Sequence, residues 1–386
     1  MPSPLTLEVL ERLVGFDTTS RNSNLALIDY AEAFLRGAGA ATERVYDDTG
    51  AKANLWATFG PEDRPGVILS GHTDVVPVDG QDWATDPFRL TEAGGRYFGR
   101  GACDMKGFLA ICMGLAPEMA AAPLARPIHL ALSYDEEVGC IGVRGLIARL
   151  AQRPALPAAC IVGEPTGMEV AIGHKAKRSL RATLRGLGGH SSRAPDFVNA
   201  VEHGARIVVK IREIGLRLAA QGRRDGLYDV PHTTAHVGTF HGGTALNIVP
   251  DLATLDFEFR ALPEEDVDAL VAEVEAFVRG TVDPEMRSAC PDAGVDLDLI
   301  SGFPGLATAP EAEVVTLAKR LAGRNDHIKV AYGTEAGLFA ETGGIPTAIC
   351  GPGSIAQAHR PDEFVEASQL DACERFVRGL IAECSA

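Results

Sequence analysis

Histidine and carboxylate residues recur in short motifs along this chain of 386 residues. The candidate ligands are, in chain order, His72, Asp74, Asp104, Glu136, Glu137, Glu164 and His359. Imidazole and carboxylate groups bind divalent cations, and no cysteine is needed to complete the set. If these side chains converge, they predict a carboxylate-bridged pair of divalent metal ions, with one further carboxylate free to act as a base. Such an arrangement can split an amide bond with water.

The elements around these motifs explain why the motifs should meet. Five stretches predict a layered α/β domain, namely apolar strand-like runs at 67–70, 128–133 and 159–162 and helical patterns at 104–122 and 141–151. His72, Glu136 and Glu164 each come shortly after one of the apolar runs. Ligand sites in open α/β sheets lie outside the carboxyl ends of the strands, so we expect these residues to share one crevice.

The middle of the chain has a different pattern. Residues 179–185 alternate polar and apolar side chains, and a β-α-β-β-α order follows, which predicts an antiparallel sheet with helices on one face. We expect a layered α/β catalytic domain with a mixed, mostly parallel sheet at 1–178 and 291–386. An inserted α+β lid or dimerisation domain is expected at 179–290. A strand predicted at 295–300 is assigned to the catalytic domain.

Composition excludes several classes of protein. The net charge of −16, without a run of lysine and arginine, argues against a nucleic-acid partner. No apolar stretch is long enough to predict a membrane span, and the first residues do not resemble a signal peptide. The eight cysteines show no metal-binding spacing, so we expect reduced, buried cysteines in a cytoplasmic protein.

Each motif taken alone also has an ordinary structural explanation. Asp104 could simply cap the helix that follows it, and the acidic run at 135–137 could be a solvated loop. His359 could be a surface histidine of a glycine-proline loop. Neighbouring side chains in extended backbone point in opposite directions, so Glu136 and Glu137 are not expected to bind one metal together. This spacing predicts one ligand and one free carboxylate.

The motifs together resemble those of the dinuclear zinc aminoacylase and carboxypeptidase superfamily. The matching segments are His72-Thr-Asp-Val-Val-Pro, Gly99-Arg-Gly-Ala-Cys-Asp-Met-Lys-Gly, Asp135-Glu-Glu-Val-Gly, Gly163-Glu-Pro-Thr and the late His359. The resemblance implies one zinc on His72 and Glu164, a second on Glu137 and His359, a bridging Asp104 with a cis peptide bond to Met105, an Asp74 that orients His72, and Glu136 as the base. Cobalt or manganese could replace zinc on the same ligands.

Four further segments are similar to acetylornithine deacetylases within this superfamily, at 16–24, 173–175, 332–336 and 351–364. The implied reaction is N-acetyl-L-ornithine plus water giving L-ornithine and acetate, a step of arginine biosynthesis. A succinyl-diaminopimelate desuccinylase or another N-acyl-amino-acid hydrolase is the alternative.

The same resemblance suggests which residues contact the substrate. Arg260 would bind the α-carboxylate, Asn247 would be a further substrate contact, and Glu335 is a candidate for the side-chain ammonium. His190 would reach the site of a partner subunit and stabilise the oxyanion of the reaction. We therefore expect a homodimer formed through residues 179–290.

Overall fold

A computed structural model describes all 386 residues and has a mixed α/β architecture. The strands are β1 (Ala41–Tyr46), β2 (Ala53–Phe59), β3 (Val67–His72), β4 (Thr91–Ala93), β5 (Arg96–Phe98), β6 (Ile128–Ser133), β7 (Ala159–Val162), β8 (Ala171–His174), β9 (Ala176–Arg185), β10 (Gly189–His190), β11 (Thr234–Gly242), β12 (Ile248–Val249), β13 (Leu252–Ala261), β14 (Gly294–Phe303), β15 (Leu306–Ala307), β16 (Ile328–Val330), β17 (Thr347–Ile349) and β18 (Phe364–Glu366). The helices are α1 (Pro4–Val14), α2 (Leu25–Gly37), α3 (Lys106–Gly114), α4 (Ala116–Ala121), α5 (Val143–Leu150), α6 (Ala200–Gln221), α7 (Val267–Phe277), α8 (Asp283–Ala289), α9 (Glu313–Ala322) and α10 (Ala367–Cys384).

The chain divides into two units. The first comprises Met1–Gly173, Leu306–Lys329 and Thr334–Ala386, and the second comprises His174–Gly305 with Val330–Gly333. The second unit extends beyond the inserted segment predicted at residues 179–290, because its sheet also includes the start of β9 and all of β14.

The first unit contains a nine-stranded mixed sheet, which confirms the predicted fold class. Its order is β1-β2-β6-β3-β7-β17-β8-β15, with β16 beside β8. The four central strands β6, β3, β7 and β17 run parallel, whereas β1, β2 and β8 pair antiparallel with their neighbours. Parallel pairing thus joins the four strands at the centre of the sheet.

The central strands read as continuous apolar runs because both faces of the sheet are covered. Every residue of β3, β6 and β7 is buried. The buried helix α3 packs against β3, α1 and α10. The helical pattern predicted at 104–122 forms two helices, α3 and α4. They are separated at Leu115, and Pro117 lies in the first turn of α4.

Strand register explains how motifs far apart in the chain become neighbours. His72, the last residue of β3, pairs with Ser133, the last residue of β6, and Ser70 pairs with Val162, the last residue of β7. The carboxyl ends of three parallel strands therefore lie side by side. The loops that follow these strands begin at one edge of the sheet.

The second unit has its own core and an antiparallel sheet ordered β11-β13-β9-β14, together with a two-stranded ribbon of β10 and β12. Asn199 and Asp266 cap α6 and α7, which begin just after them. The strand at 295–300 was assigned to the catalytic domain, and that assignment is wrong: β14 pairs with β9 over most of its length. A short apolar run does not specify which distant strand it pairs with.

None of the helices combines the length and the hydropathy that a membrane crossing needs. The eight cysteines are all unpaired, and seven are buried.

Candidate metal centre

The predicted ligands converge at the shared strand edge of the first unit. The side chains of His72, Asp104 and Glu164 are at most 5% exposed, and that of Glu137 is 8% exposed. His359 differs because it lies in a loop with a left-handed backbone (φ 62°) and its side chain is 49% exposed. The centre is therefore buried on the strand side and open on the side of the His359 loop.

Asp104 lies between the two histidines. Its Oδ1 atom is 3.1 Å from Nε2 of His72, and its Oδ2 atom is 3.3 Å from Nε2 of His359. One carboxylate oxygen thus faces each imidazole, as a bridging carboxylate requires. The peptide bond from Asp104 to Met105 is cis, as the resemblance implies.

Each histidine also has a second carboxylate beside it. Nε2 of His72 is 3.8 Å from Oε1 of Glu164, and Nε2 of His359 is 3.1 Å from Oε2 of Glu137. Ligand atoms of His72, Asp104 and Glu137 also lie within 4.8 Å of one another. This group combines His72 of one pair with Glu137 of the other. It therefore indicates that the two metal positions are adjacent and does not indicate a third position. The shorter histidine–carboxylate pairs favour the ligand division that the resemblance implies.

Asp74 lies beside His72, and its backbone makes the hydrogen bond to the imidazole. His72 donates its Nδ1 hydrogen to the backbone carbonyl of Asp74 at 2.9 Å, whereas the Asp74 carboxylate is 3.6 Å away. The carboxylate instead accepts hydrogen bonds from the backbone of Glu136 at 3.1 Å and of Glu137 at 3.3 Å. The carbonyl therefore selects the imidazole tautomer that leaves Nε2 free to bind a metal. The side chain holds the acidic loop in place.

Glu136 faces the His72 side of the centre. Ligand atoms of His72, Glu136 and Glu164 lie within 4.8 Å of one another. The Cys140 thiol donates to Oε1 of Glu136 at 3.3 Å. Burial, reinforced by the nearby Glu137 and other carboxylates, raises the pKa of Glu136 to about 8, although the proximity of His72 opposes the shift. A carboxylate poised near neutral pH suits proton transfer.

The cluster contains more carboxylates than imidazoles. Five carboxylates surround two imidazoles, and they belong to Asp74, Asp104, Glu136, Glu137 and Glu164. Burial and the neighbouring carboxylates raise the pKa of Glu164 well above its usual range. Divalent cations would remove this repulsion, and imidazole with carboxylate oxygen is a donor set that zinc, cobalt and manganese accept. The residues present therefore fit a pair of divalent ions.

Stability of the metal-free protein should fall as the pH rises from about 5 to about 10. Burial raises the pKa of Glu137 to about 7 and that of Glu136 to about 8, and hydrogen bonds to Asp104 and Glu137 raise that of His359 to about 10. Each folded-state pKa lies above the unfolded value. Each group therefore stabilises the fold while it is protonated and loses that contribution as it deprotonates.

Thermal unfolding at several pH values, with and without saturating zinc, measures this effect. We expect the metal-free midpoint to fall relative to the zinc-loaded midpoint across this range, because bound cations replace the protons. A gap between the two curves that stays constant with pH would contradict the assignment of these groups to one cluster.

Glu335 does not occupy the predicted substrate position. It is 1% exposed, and its two carboxylate oxygens accept hydrogen bonds from the hydroxyls of Ser70 and Ser133 at 2.5 and 2.7 Å. These serines lie on β3 and β6, just before the metal-binding loops. Burial raises the pKa of Glu335. In this conformation the carboxylate joins two strand ends and cannot contact a substrate ammonium.

The other three predicted substrate residues belong to the second unit. His190 is paired with Ile248 on the β10–β12 ribbon, and Ser191 donates its backbone N–H to the carbonyl of Asn247 at 3.0 Å. His190 and Asn247 are thus neighbours on one exposed ribbon, which the sequence did not indicate. Arg260 lies near the end of β13, where it donates to Glu258 at 2.9 Å. The roles of these residues stay predictions.

Sequence reasoning missed two polar contacts of the centre. Ser20 donates its hydroxyl to the Asp74 carboxylate at 2.7 Å, and Cys140 contacts Glu136. Ser20 lies in the segment 16–24, which is similar to acetylornithine deacetylases but whose sequence does not predict this contact. Cys140 follows Glu136 by four positions in a loop, and that spacing carries no recognisable signal outside a helix.

Comparisons with known proteins agree with this geometry. Residues 68–383 match the profile of peptidase family M20/M25/M40. The chain is 33% identical to the acetylornithine deacetylase of Myxococcus xanthus over 384 residues, which cover 98% of this chain and 97% of the relative. It is 31% identical to the acetylornithine deacetylase of Pasteurella multocida (strain Pm70) over 390 residues, which cover 98% of each chain.

Solved structures share the fold at lower sequence identity. The M20 family metallo-carboxypeptidase Sso-CP2 from Sulfolobus solfataricus superposes with a TM-score of 0.77 at 18% identity, covering 99% of this chain and 100% of the other. The YXEP protein of Bacillus subtilis, described as a dinuclear metal binding peptidase from the M20 family, has a TM-score of 0.68 at 14% identity, with 98% and 97% covered.

Proposed function

Since the chain belongs to peptidase family M20/M25/M40, a family of metal-dependent hydrolases of amide bonds, we propose that it removes the acetyl group from N-acetyl-L-ornithine. The products are L-ornithine and acetate, and the step serves arginine biosynthesis in the cytoplasm. The observation that carries hydrolysis is Asp104, whose two oxygens face two separate histidines. The deacetylases that match almost the whole chain support the acetyl substrate.

The chain's own residues divide the work of hydrolysis. Two divalent ions, which we propose to be zinc, would polarise the amide carbonyl and make water acidic enough to attack. Glu136 accepts the proton of the attacking water and delivers it to the leaving nitrogen. Burial raises the pKa of Glu136 in the metal-free protein, and a nearby cation would lower it, which favours the ionised carboxylate that a base requires. Water adds across one amide bond, so an acid and an amine are the only products.

Residues of the second unit complete the proposal. The guanidinium of Arg260 binds the substrate α-carboxylate, and Asn247 makes a further polar contact. His190 donates a hydrogen bond to the oxyanion of the reacting carbonyl. Because His190 and Asn247 share one exposed ribbon, they can act on the same ligand.

A direct test compares two acyl substrates. We expect the purified protein to hydrolyse N-acetyl-L-ornithine faster than N-succinyl-L,L-diaminopimelate when ornithine release and diaminopimelate release are measured side by side. A chelator should abolish both activities, and added zinc, cobalt or manganese should restore them. A faster rate on the succinyl substrate would replace the acetyl assignment by the desuccinylase alternative. Activity that survives complete metal removal would overturn the metal-dependent reading.

We also propose that the protein is a homodimer formed through the second unit. Val209 and Leu216 lie on α6 and are each 55% exposed, which supports a covering partner. His190 would then serve the site of the partner subunit. Sedimentation analysis of the protein and of Leu216→Glu tests this: a monomeric wild-type protein with full activity would contradict the proposal.

A further inference from the structure

Three side chains outside the ligand set form a polar chain between the two loops that carry Asp104 and His359. They are Gln81, Arg100 and Glu363, and the side chains of the last two are each 1% exposed. Arg100 and Glu363 lie within family-like segments, but the sequence assigned them no role. Burying a charged pair costs free energy unless its hydrogen bonds are satisfied. The groups that Arg100 and Glu363 contact therefore indicate what the pair does.

Glu363 holds the backbone of the bridging residue. Its Oε1 atom accepts the backbone N–H of Cys103 at 2.9 Å and that of Asp104 at 3.0 Å. Its Oε2 atom accepts a hydrogen bond from Nη1 of Arg100 at 2.6 Å. Glu363 lies only four residues after His359, so one carboxylate ties the start of the Asp104 loop to the end of the His359 loop.

Arg100 and Gln81 extend these hydrogen bonds to His359. Nη2 of Arg100 donates to the side-chain oxygen of Gln81 at 2.6 Å, and the guanidinium lies over the Trp83 ring at 5.0 Å. Nε2 of Gln81 then donates to the backbone carbonyl of His359 at 3.1 Å. Hydrogen bonds therefore run without a gap from the backbone of Asp104 to the backbone of His359.

The same two ligands meet again at the metal centre. The Asp104 carboxylate and the His359 imidazole are 3.3 Å apart. The two residues are therefore linked twice, through their side chains directly and through their backbones by the three polar side chains. Of the candidate ligands, His359 has the least support from its surroundings, because it is half-exposed and sits in a glycine-proline loop. A fixed carbonyl limits how far this imidazole can move from Asp104.

We propose that Gln81, Arg100 and Glu363 are positioning residues that hold His359 and Asp104 at the spacing required by the metal bound to Glu137 and His359. Gln81 is the residue of the three that contacts His359 directly. Its amide accepts from Arg100 and donates to His359, so it is the link that a single change can break on one side only. Residues that orient metal ligands typically change metal affinity about 10- to 100-fold when they are replaced.

Gln81→Glu separates the two functions of this side chain. A glutamate still accepts from Arg100, but an ionised carboxylate cannot donate to the His359 carbonyl. Its added negative charge would by itself favour cation binding, so a weaker metal site cannot be a charge effect. Gln152→Glu makes the same change in charge at an exposed position of the first unit and serves as the matched control.

The experiment titrates the metal-free full-length proteins with Co²⁺ and follows the visible absorption of the bound metal. We expect two equivalents in the wild type and in Gln152→Glu. Gln81→Glu should bind the first equivalent as the wild type does and the second about 10- to 100-fold more weakly, with an unchanged unfolding midpoint in the metal-free form.

Two results would overturn the inference. Wild-type affinity for both equivalents in Gln81→Glu would show that the link does not position His359. If Gln81→Glu instead weakens the affinity for both equivalents equally and lowers the unfolding midpoint of the metal-free form, Gln81, Arg100 and Glu363 have only a general structural role. The inference rests on the two-metal site proposed above, and its failure is distinguishable from that of the site: a wild type that binds fewer than two equivalents sinks the site itself.

Discussion

Replacing Glu136 by glutamine is expected to lower kcat on N-acetyl-L-ornithine about 10²- to 10⁴-fold, the range typical of a lost general acid–base group. Glutamine has almost the same size and cannot accept the proton of the attacking water. Because Glu136 is not among the residues assigned as metal ligands, both metal ions should remain bound. The KM should change far less than kcat, because the substrate contacts proposed here come from other residues.

The neighbouring carboxylate provides a matched control. Asp135 forms an ion pair with Lys52 at 2.5 Å instead of facing the cluster. Asp135→Asn keeps the shape of the loop, and asparagine tolerates the left-handed backbone at this position (φ 54°). Steady-state kinetics and metal analysis of both variants test the assignment. Equal losses of kcat in the two variants, or a full loss of metal in Glu136→Gln, would remove Glu136 from the role of base.

Asp104→Asn should release both metal ions, whereas replacement of a terminal ligand should affect mainly one. Asp104 offers one oxygen to each side of the centre, and an amide oxygen carries no charge with which to hold two cations. We expect each affinity to fall by at least about 100-fold, the upper end of what changes around a ligand produce. Activity should fall with the metal content, because water is then no longer activated.

Metal analysis by mass spectrometry after dialysis at limiting zinc gives the readout. His359→Ala is the informative comparison, since it should leave the equivalent bound to His72 and Glu164 largely in place. Asp79→Asn, an exposed aspartate paired with Arg21, should keep two metal ions and full activity. Retention of one tightly bound ion in Asp104→Asn would mean that Asp104 is a terminal ligand and not the bridge.

The sequence predicted the central strands well. The runs at 128–133 and 159–162 coincide with β6 and β7, because uninterrupted apolar residues between loops are typical of strands buried on both faces. The convergence of several candidate ligands was also predicted, because His72, Glu136 and Glu164 come shortly after strands whose carboxyl ends are neighbours. Both features are local and can be read from a few residues.

Features that depend on distant partners were predicted less well. The strand at 295–300 was assigned to the wrong unit, since its own residues do not indicate that β9 is its neighbour. Glu335 was expected at the substrate, yet Ser70 and Ser133 enclose it 265 and 202 positions away along the chain. A glutamate in a loop has the same sequence signature whether it faces solvent or lies beneath a sheet edge.

The sequence alone predicted which side chains gather at the centre and the class of reaction that such a set can perform, and their division into ligands and base stays a prediction. The tertiary structure decided how they are held. His72 is oriented by the carbonyl of Asp74, whose carboxylate fixes the acidic loop, and Gln81 reaches the backbone of His359. Hydrogen bonds to backbone atoms carry no sequence signature, because every residue offers the same carbonyl and almost every residue the same N–H. Only the folded chain shows which of them meet.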